Sequence, residues 1–300
     1  MAAAAISVLT GANEFNGRAI ESSVMKTTFA VMLLLAQLAD GDRHWAMRAE
    51  GSRGGRAAAT HIDSAIAAYR QAVAQNPNDI RARSRLLAAY RFKGAYVAAN
   101  NDQKKQVYAE AKEAGAEAVR VVERALAARG LKSPDKASEK QVAEVARTIP
   151  SAGEVYLWDA VNWGEWALAY GKMAAARQGA ADRIRRGATI AMLIDPRMEG
   201  GSPARVLGRL HDQTPRIPFI TGWASGREAV RFLNESYKID PNNKITLVFL
   251  AEAMVSNDAS AKPRAIELLR KAATAPNDPD FLVEQAAAQA DAEALLKKWQ

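Results

Sequence analysis

The chain's candidate chemistry is concentrated in residues 154–176, which carry Tyr156, Trp158, Trp163, Trp166 and Tyr170. Tyr156, Trp163 and Tyr170 are seven apart and so share one stripe of a helix. Trp166 joins that stripe, while Trp158 lies round to the side. Trp and Tyr combine apolar area with a polar tip, which suits them to organic ligands and to interfaces. One aromatic stripe can fill a core, and the remaining aromatics then ask for a second surface. Trp158, Trp163, Trp166 and Tyr170 are therefore the candidate ligand-binding residues, with burial in a helical core as the competing reading. Asp159 and Asn162 offer polar contacts from the same helix.

Two further segments invite a binding role. Residues 212–225, DQTPRIPFITGWAS, form a proline-broken loop that is long for a connection between helices. Its Arg216, Phe219 and Trp223 are candidate partner-binding residues, against the alternative of a lid over the core. Gly200-Gly201-Ser202-Pro203 opens a helix next to Arg205. Unpaired backbone N–H groups there can hold an anion, or the glycines make a tight turn that lets two helices pack.

Acid–base, nucleophilic and metal chemistry have little to build on. There are no cysteines and only three histidines, so disulfides, thiolate metal sites and cysteine nucleophiles are excluded. His44 lies in a leader region, His61 begins a helix, and His211 ends one, where a protonated imidazole complements the helix dipole. No HExxH, GxSxG or Walker-type motif occurs. Acidic pairs such as Glu110/Glu113 and Glu252/Asp258 read as solvated faces. No catalytic residue, cofactor or metal is expected, and the chain reads as a non-enzyme.

With 300 residues, 49% hydrophobic and 25% charged, the composition is that of a globular protein. The formal net charge is +8, which raises the question of nucleic acid. The cations are dispersed, however, and the short runs Arg81/Arg83/Arg85 and Arg183/Arg185/Arg186 lack interleaved aromatics. They read as solvated helix faces.

The elements that position these residues are announced by a repeat. Ala65, Tyr69, Ala72 and Pro77 sit at offsets 0, 4, 7 and 12, and Ala229, Leu233, Ser236 and Pro241 keep the same offsets. Ala265, Leu269 and Ala272 follow, with Pro276 one residue early. Small residues seven apart let a neighbouring helix approach, the large residue between them fills the gap, and proline ends the helix. This is the second-helix pattern of a tetratricopeptide repeat (TPR). Helices are predicted near 61–75, 79–97, 103–129, 137–147, 154–176, 180–194, 203–211, 226–239, 243–256, 261–275 and 279–298. The expected fold is all-α, a TPR-like solenoid of stacked antiparallel helix pairs.

Residues 25–39, MKTTFAVMLLLAQLA, have a charged start and an apolar run too short to span a bilayer. They read as a secretory signal beginning at Met25, with cleavage after Ala36, Ala39 or Ala46, or alternatively as a first buried helix. On that reading residues 1–45 are an upstream extension plus signal peptide, and 46–300 are one solenoid domain.

Five segments in order give a wider likeness: QNPND (75–79), KKQVYAEAKEAGAEAV (104–119), YLWDAVNWGEWAL (156–168), LIDPRMEGGSPARVLGRLH (193–211) and GREAVRFLNESYKIDPNN (226–243). Together they resemble the T-component family of TRAP (tripartite ATP-independent) transporters. The resemblance implies a non-catalytic periplasmic protein with a hydrophobic, ligand-accessible channel. It also implies self-association as a trimer and docking to a periplasmic solute-binding subunit. The chain departs from the family pattern in having no cysteine for a lipid anchor and Thr221-Gly222-Trp223 in place of a glycine pair. The expected function is accessory binding in TRAP-type uptake of an organic solute. The alternative is a general TPR adaptor for proteins, without a transport role. Nucleic acid and a stable membrane span are not expected.

Overall fold

The computed structural model describes residues 36–217 and 221–299. Residues 36–46 form α1. There follow α2 (Ala59–Gln75), α3 (Ile80–Phe92), α4 (Asn101–Ala127), α5 (Glu139–Ala146), α6 (Ala152–Tyr170), α7 (Lys172–Arg177), α8 (Ala180–Ile194), α9 (Met198–Gln213), α10 (Gly226–Ile239), α11 (Lys244–Asn257), α12 (Lys262–Thr274) and α13 (Leu282–Trp299). A π-helical turn, Lys93–Val97, extends α3.

The ends of these helices are written in the sequence. Pro77, Pro196 and Pro241 follow the last turns of α2, α8 and α10, where a residue lacking N–H cannot continue the ladder. Asp79, Asn100, Ser138, Ser225 and Asn243 accept backbone N–H groups at the starts of α3, α4, α5, α10 and α11. Each such cap is worth about 1 kcal/mol.

With the short α5 and α7 set aside, each helix from α2 onward packs on the next. In addition α3 touches α6, α6 touches α9, α9 touches α11, and α11 touches α13. Contacts between alternate helices mark the crowded side of a curved array, so these five line the inner layer. Helices α2, α4, α8, α10 and α12 form the outer layer. The fold is all-α and TPR-like. Its defining residues, Ala65/Tyr69/Ala72, Ala229/Leu233/Ser236 and Ala265/Leu269/Ala272, are all at 0% exposure, which is what the close helix approach demands.

The last helix ties the array together. Val283 and Ala287 of α13 pack in the N-terminal core with Leu38, Ile62 and Phe92. Farther along, Ala292, Leu295 and Trp299 pack in the C-terminal core with Leu247 and Leu268. The buried Lys244 ammonium holds α13 through Gln289 Oε1 at 2.8 Å and the preceding loop through Asn277 Oδ1 at 2.7 Å.

Three expectations are revised. Residues 36–45 pack within this fold: Leu38 is buried, and Asp42 accepts from the Tyr69 hydroxyl at 2.9 Å and from Arg81 at 2.8 Å. The folded unit therefore begins before residue 46. The run 154–176 is two helices, because Gly171 (φ 91°) turns the chain between α6 and α7. Glu199, Gly200 and Gly201 take left-handed backbone (φ 48°, 62° and 80°), so the regular part of α9 begins at Ser202. The apolar run before residue 36 lies outside the described residues.

Candidate functional site

The inner layer brings together charged side chains that are far apart in sequence. Helix α3 supplies Arg85 and Arg91, α6 supplies Glu154 and Glu165, α9 supplies Glu199 and Arg205, and α13 supplies Glu284. Arg48 enters from the segment after α1. Arg48 and Glu284 form a buried pair at 3.2 Å. Arg91 donates to the Tyr96 hydroxyl at 2.7 Å and lies 3.7 Å from Glu165. Ser84 donates to Glu154 at 3.0 Å.

These groups feel one another's charge. Burial raises the pKa of Glu199; Glu154 adds to the rise, and Arg85, Arg205 and Arg48 oppose it. Burial, then the charge of Arg91, lowers Arg205 to about 10. Arg205 donates only to neutral acceptors: Thr246 Oγ1 at 3.1 Å, Gly200 O at 3.3 Å and Glu199 O at 3.3 Å. No carboxylate among the described residues lies within 4.0 Å of it. Arg85 Nε makes no hydrogen bond but lies 3.5 Å from Asp42 Oδ1, and the unbonded Tyr108 hydroxyl belongs to the buried core under α4. Unspent donors in a walled face cost about 1–3 kcal/mol each unless something meets them. The face can therefore engage polar and charged groups. The hydrophobic channel implied by the resemblance is not what these residues build.

Sequence had read Arg85 as part of a solvated run, because alternation on a helix gives no sign of which side a neighbour covers. The neighbouring runs are likewise tied down: Arg83 bonds the Pro77 carbonyl and Arg186 those of Pro134 and Ala137. Glu110 and Glu252, read as solvated, pair with Arg70 at 2.6 Å and Arg209 at 2.9 Å.

The aromatic candidates separate. Trp163 and Trp166 are 5% and 3% exposed and belong to the core with Tyr108, Ile184, Leu207 and Phe232. They meet edge-on at 5.5 Å, and Trp166 stacks on Tyr170 at 4.7 Å. The Lys112 ammonium lies over both indoles, at 4.9 and 4.4 Å, and the Arg183 guanidinium over Trp163 at 5.2 Å. Trp158 is half-buried against a different core cluster, and Tyr170 is exposed. Asn162 Nδ2 donates to the carbonyls of Leu87 and Trp158, at 3.0 and 2.9 Å, and its buried Oδ1 has no partner. Asp159 is buried with Oδ1 unpartnered, and burial raises its pKa to about 7, an effect that Arg183 opposes.

Arg216 and Trp223 converge on one residue, His211. Arg216 shares with His211, Asp212, Arg227 and Ser256 a cleft of about 430 Å³. Trp223 meets the His211 ring edge-on at 5.2 Å, beneath the Arg185 guanidinium at 4.5 Å. Phe219 lies outside the described residues. His211 Nδ1 accepts the Ser225 N–H at 3.2 Å and the ring stacks on Phe232. With Nδ1 accepting and burial lowering its pKa, the ring packs against Trp223 and Phe232 in place of the protonated cap the sequence predicted. At Gly201 a side chain would meet the Ser236 backbone at 3.2 Å, so the double glycine serves close packing of α9 on α10.

No family model matches the chain, and no curated protein matches it in sequence. Among solved structures, the TPR2AB-domain:pHSP90-complex of yeast Sti1 is similar at 16% identity, over 89% of this chain and 98% of that chain, with a TM-score of 0.30. The fold assignment here rests on the helix packing and the buried repeat residues.

Proposed function

We propose that this is a non-catalytic binding protein whose inner helical layer receives a polar, charged segment of a partner. One observation carries the reading: the Arg205 guanidinium of the inner layer meets only neutral acceptors of this chain. A solenoid is a scaffold for such contacts, because stacking repeats extends one continuous surface.

In its finer form the protein is a periplasmic accessory of a TRAP-type transport system that docks the solute-binding subunit. The five-segment resemblance supports this form. The polar inner face favours a protein partner over the hydrophobic solute, and so also favours the adaptor reading without a transport role. Cross-linked capture of residues 37–300 in periplasmic extract, read by mass spectrometry, separates the two. A solute-binding subunit as leading hit is the transport outcome; an unrelated envelope protein is the adaptor outcome. Recovery of cytosolic proteins alone contradicts the periplasmic assignment.

Secretion makes a prediction of its own. Of the three cleavage points, only that after Ala36 spares Leu38 and Asp42 together with the rest of α1. Amino-terminal sequencing of the mature protein should begin at Gln37, and a start at Met47 would contradict the role given to α1.

A further inference from the structure

We propose that the tip formed by the last turn of α6 and by α7 docks on an anionic lipid surface. Leu168 is 69% exposed, Tyr170 39% and Met173 73%, and all three lie within six residues. Helix α7 buries none of its side chains and stands between two left-handed glycines, Gly171 and Gly179. Its Ala174 and Ala175 rest against the core, and Met173 faces outward.

The charge around that tip is predominantly positive, with the exposed Asp102, 3.8 Å from Lys105, as the acid beside it. Residues 166–181 contain Lys172 and Arg177 and no acid. The Lys105 ammonium lies 5.8 Å from the Tyr170 ring centroid, and Lys112 is fixed beside α7 by Gln178 at 2.6 Å. Apolar side chains ringed by lysine and arginine match a bilayer with anionic headgroups: the former enter at headgroup depth, the latter meet phosphate. A second copy is a poorer occupant, because a two-fold contact would set Lys172 and Arg177 against the same cations. No helix among the described residues is long and apolar enough to cross a membrane, so the attachment is peripheral. The inference does not depend on the partner proposed for the inner face.

Co-sedimentation of the full chain with vesicles tests it. Vesicles of equal parts phosphatidylcholine and phosphatidylglycerol should bind the protein, and phosphatidylcholine alone should not. Salt at about 1 M, where charges are screened beyond ~3 Å, should weaken binding strongly. Leu168→Glu with Met173→Glu should weaken it roughly tenfold or more, and Lys172→Glu with Arg177→Glu by a similar factor. Both pairs are on exposed positions, and unchanged circular dichroism and melting show that each variant folds. Equal binding to both vesicle types, or unchanged binding by the folded variants, overturns the proposal. So does a wild-type oligomer that Leu168→Glu with Met173→Glu converts to monomer without affecting vesicle binding.

Discussion

Asp159 carries a carboxyl into the seam between α4 and α6, where Gly115 leaves room for it: a Cβ at 115 would fall 2.0 Å from Oδ1. Nothing neutralises it fully, since Oδ1 has no hydrogen-bond partner and Arg183 acts only at a distance. The folded-state pKa, about 7, stands above the ordinary 3.8. A carboxyl raised in this way favours folding when protonated. Its contribution is complete below the unfolded value and is lost as pH rises through the folded one. Asp159→Asn removes the buried charge, so it should raise stability at pH 8 by roughly 1–3 kcal/mol and have little effect near pH 4. Urea unfolding of both proteins at the two pH values checks this. The sequence offered Asp159 as a polar contact for a ligand, because its neighbour on the next helix could not be seen. The same blindness affected the arginines. A run such as Arg81/Arg83/Arg85 is equally compatible with solvent and with a crowded inner layer; only the packing of α3 against α6 decides.

Elements were legible where sterics leave one solution. A small–large–small triplet followed by proline specifies a tightly approached helix and its end, and all nine triplet residues are at 0% exposure. Element breaks that depend on a single glycine were not legible. Gly171 sits inside a helical pattern, and isolated glycines are often tolerated there. Helix α1 was hidden because an apolar run behind a lysine reads first as a secretory signal, with a packed helix only as the alternative. Its role is measurable. A chain starting at Met47 loses Leu38, Trp45 and the Asp42 hydrogen bonds, and should be less stable than one starting at Gln37 by about 2 kcal/mol or more. Thermal or urea unfolding of the two chains compares them, and equal stability would contradict the packing of α1. The closing helix α13 rests on the Arg48–Glu284 pair, both partners about one-tenth exposed. Arg48→Ala leaves Glu284 buried without its partner and should cost about 3–5 kcal/mol. It should also speed amide exchange in α13 before that in α4, as mass-resolved hydrogen exchange would show.

At the scale of the molecule, the solenoid was readable and its working surface was not. Repeats of small residues fix how helices stack, so curvature follows from sequence. The inner face is assembled from α3, α6, α9, α13 and the segment after α1, whose charged residues share no local pattern. The aromatic helix drew attention because tryptophan is conspicuous in sequence. Its indoles instead became core beneath Lys112, while the charged residues of α3, α9, α13 and of α6 itself took the inner surface. The Arg91–Glu165 pair and the carboxylate-free Arg205 are therefore the features on which the proposed binding stands or falls.

Site-specific photo-cross-linking tests that most directly. Benzoylphenylalanine is placed at Glu165 on the inner layer or at Glu267, which lies exposed on the outer α12. Each chain is irradiated in periplasmic extract and the adducts are sized and sequenced. The account predicts a discrete partner adduct from position 165, lost on adding Arg205→Ala, and none from position 267. A partner captured from position 267 and not from 165, or an adduct at 165 indifferent to Arg205, would contradict the inner face as the binding surface.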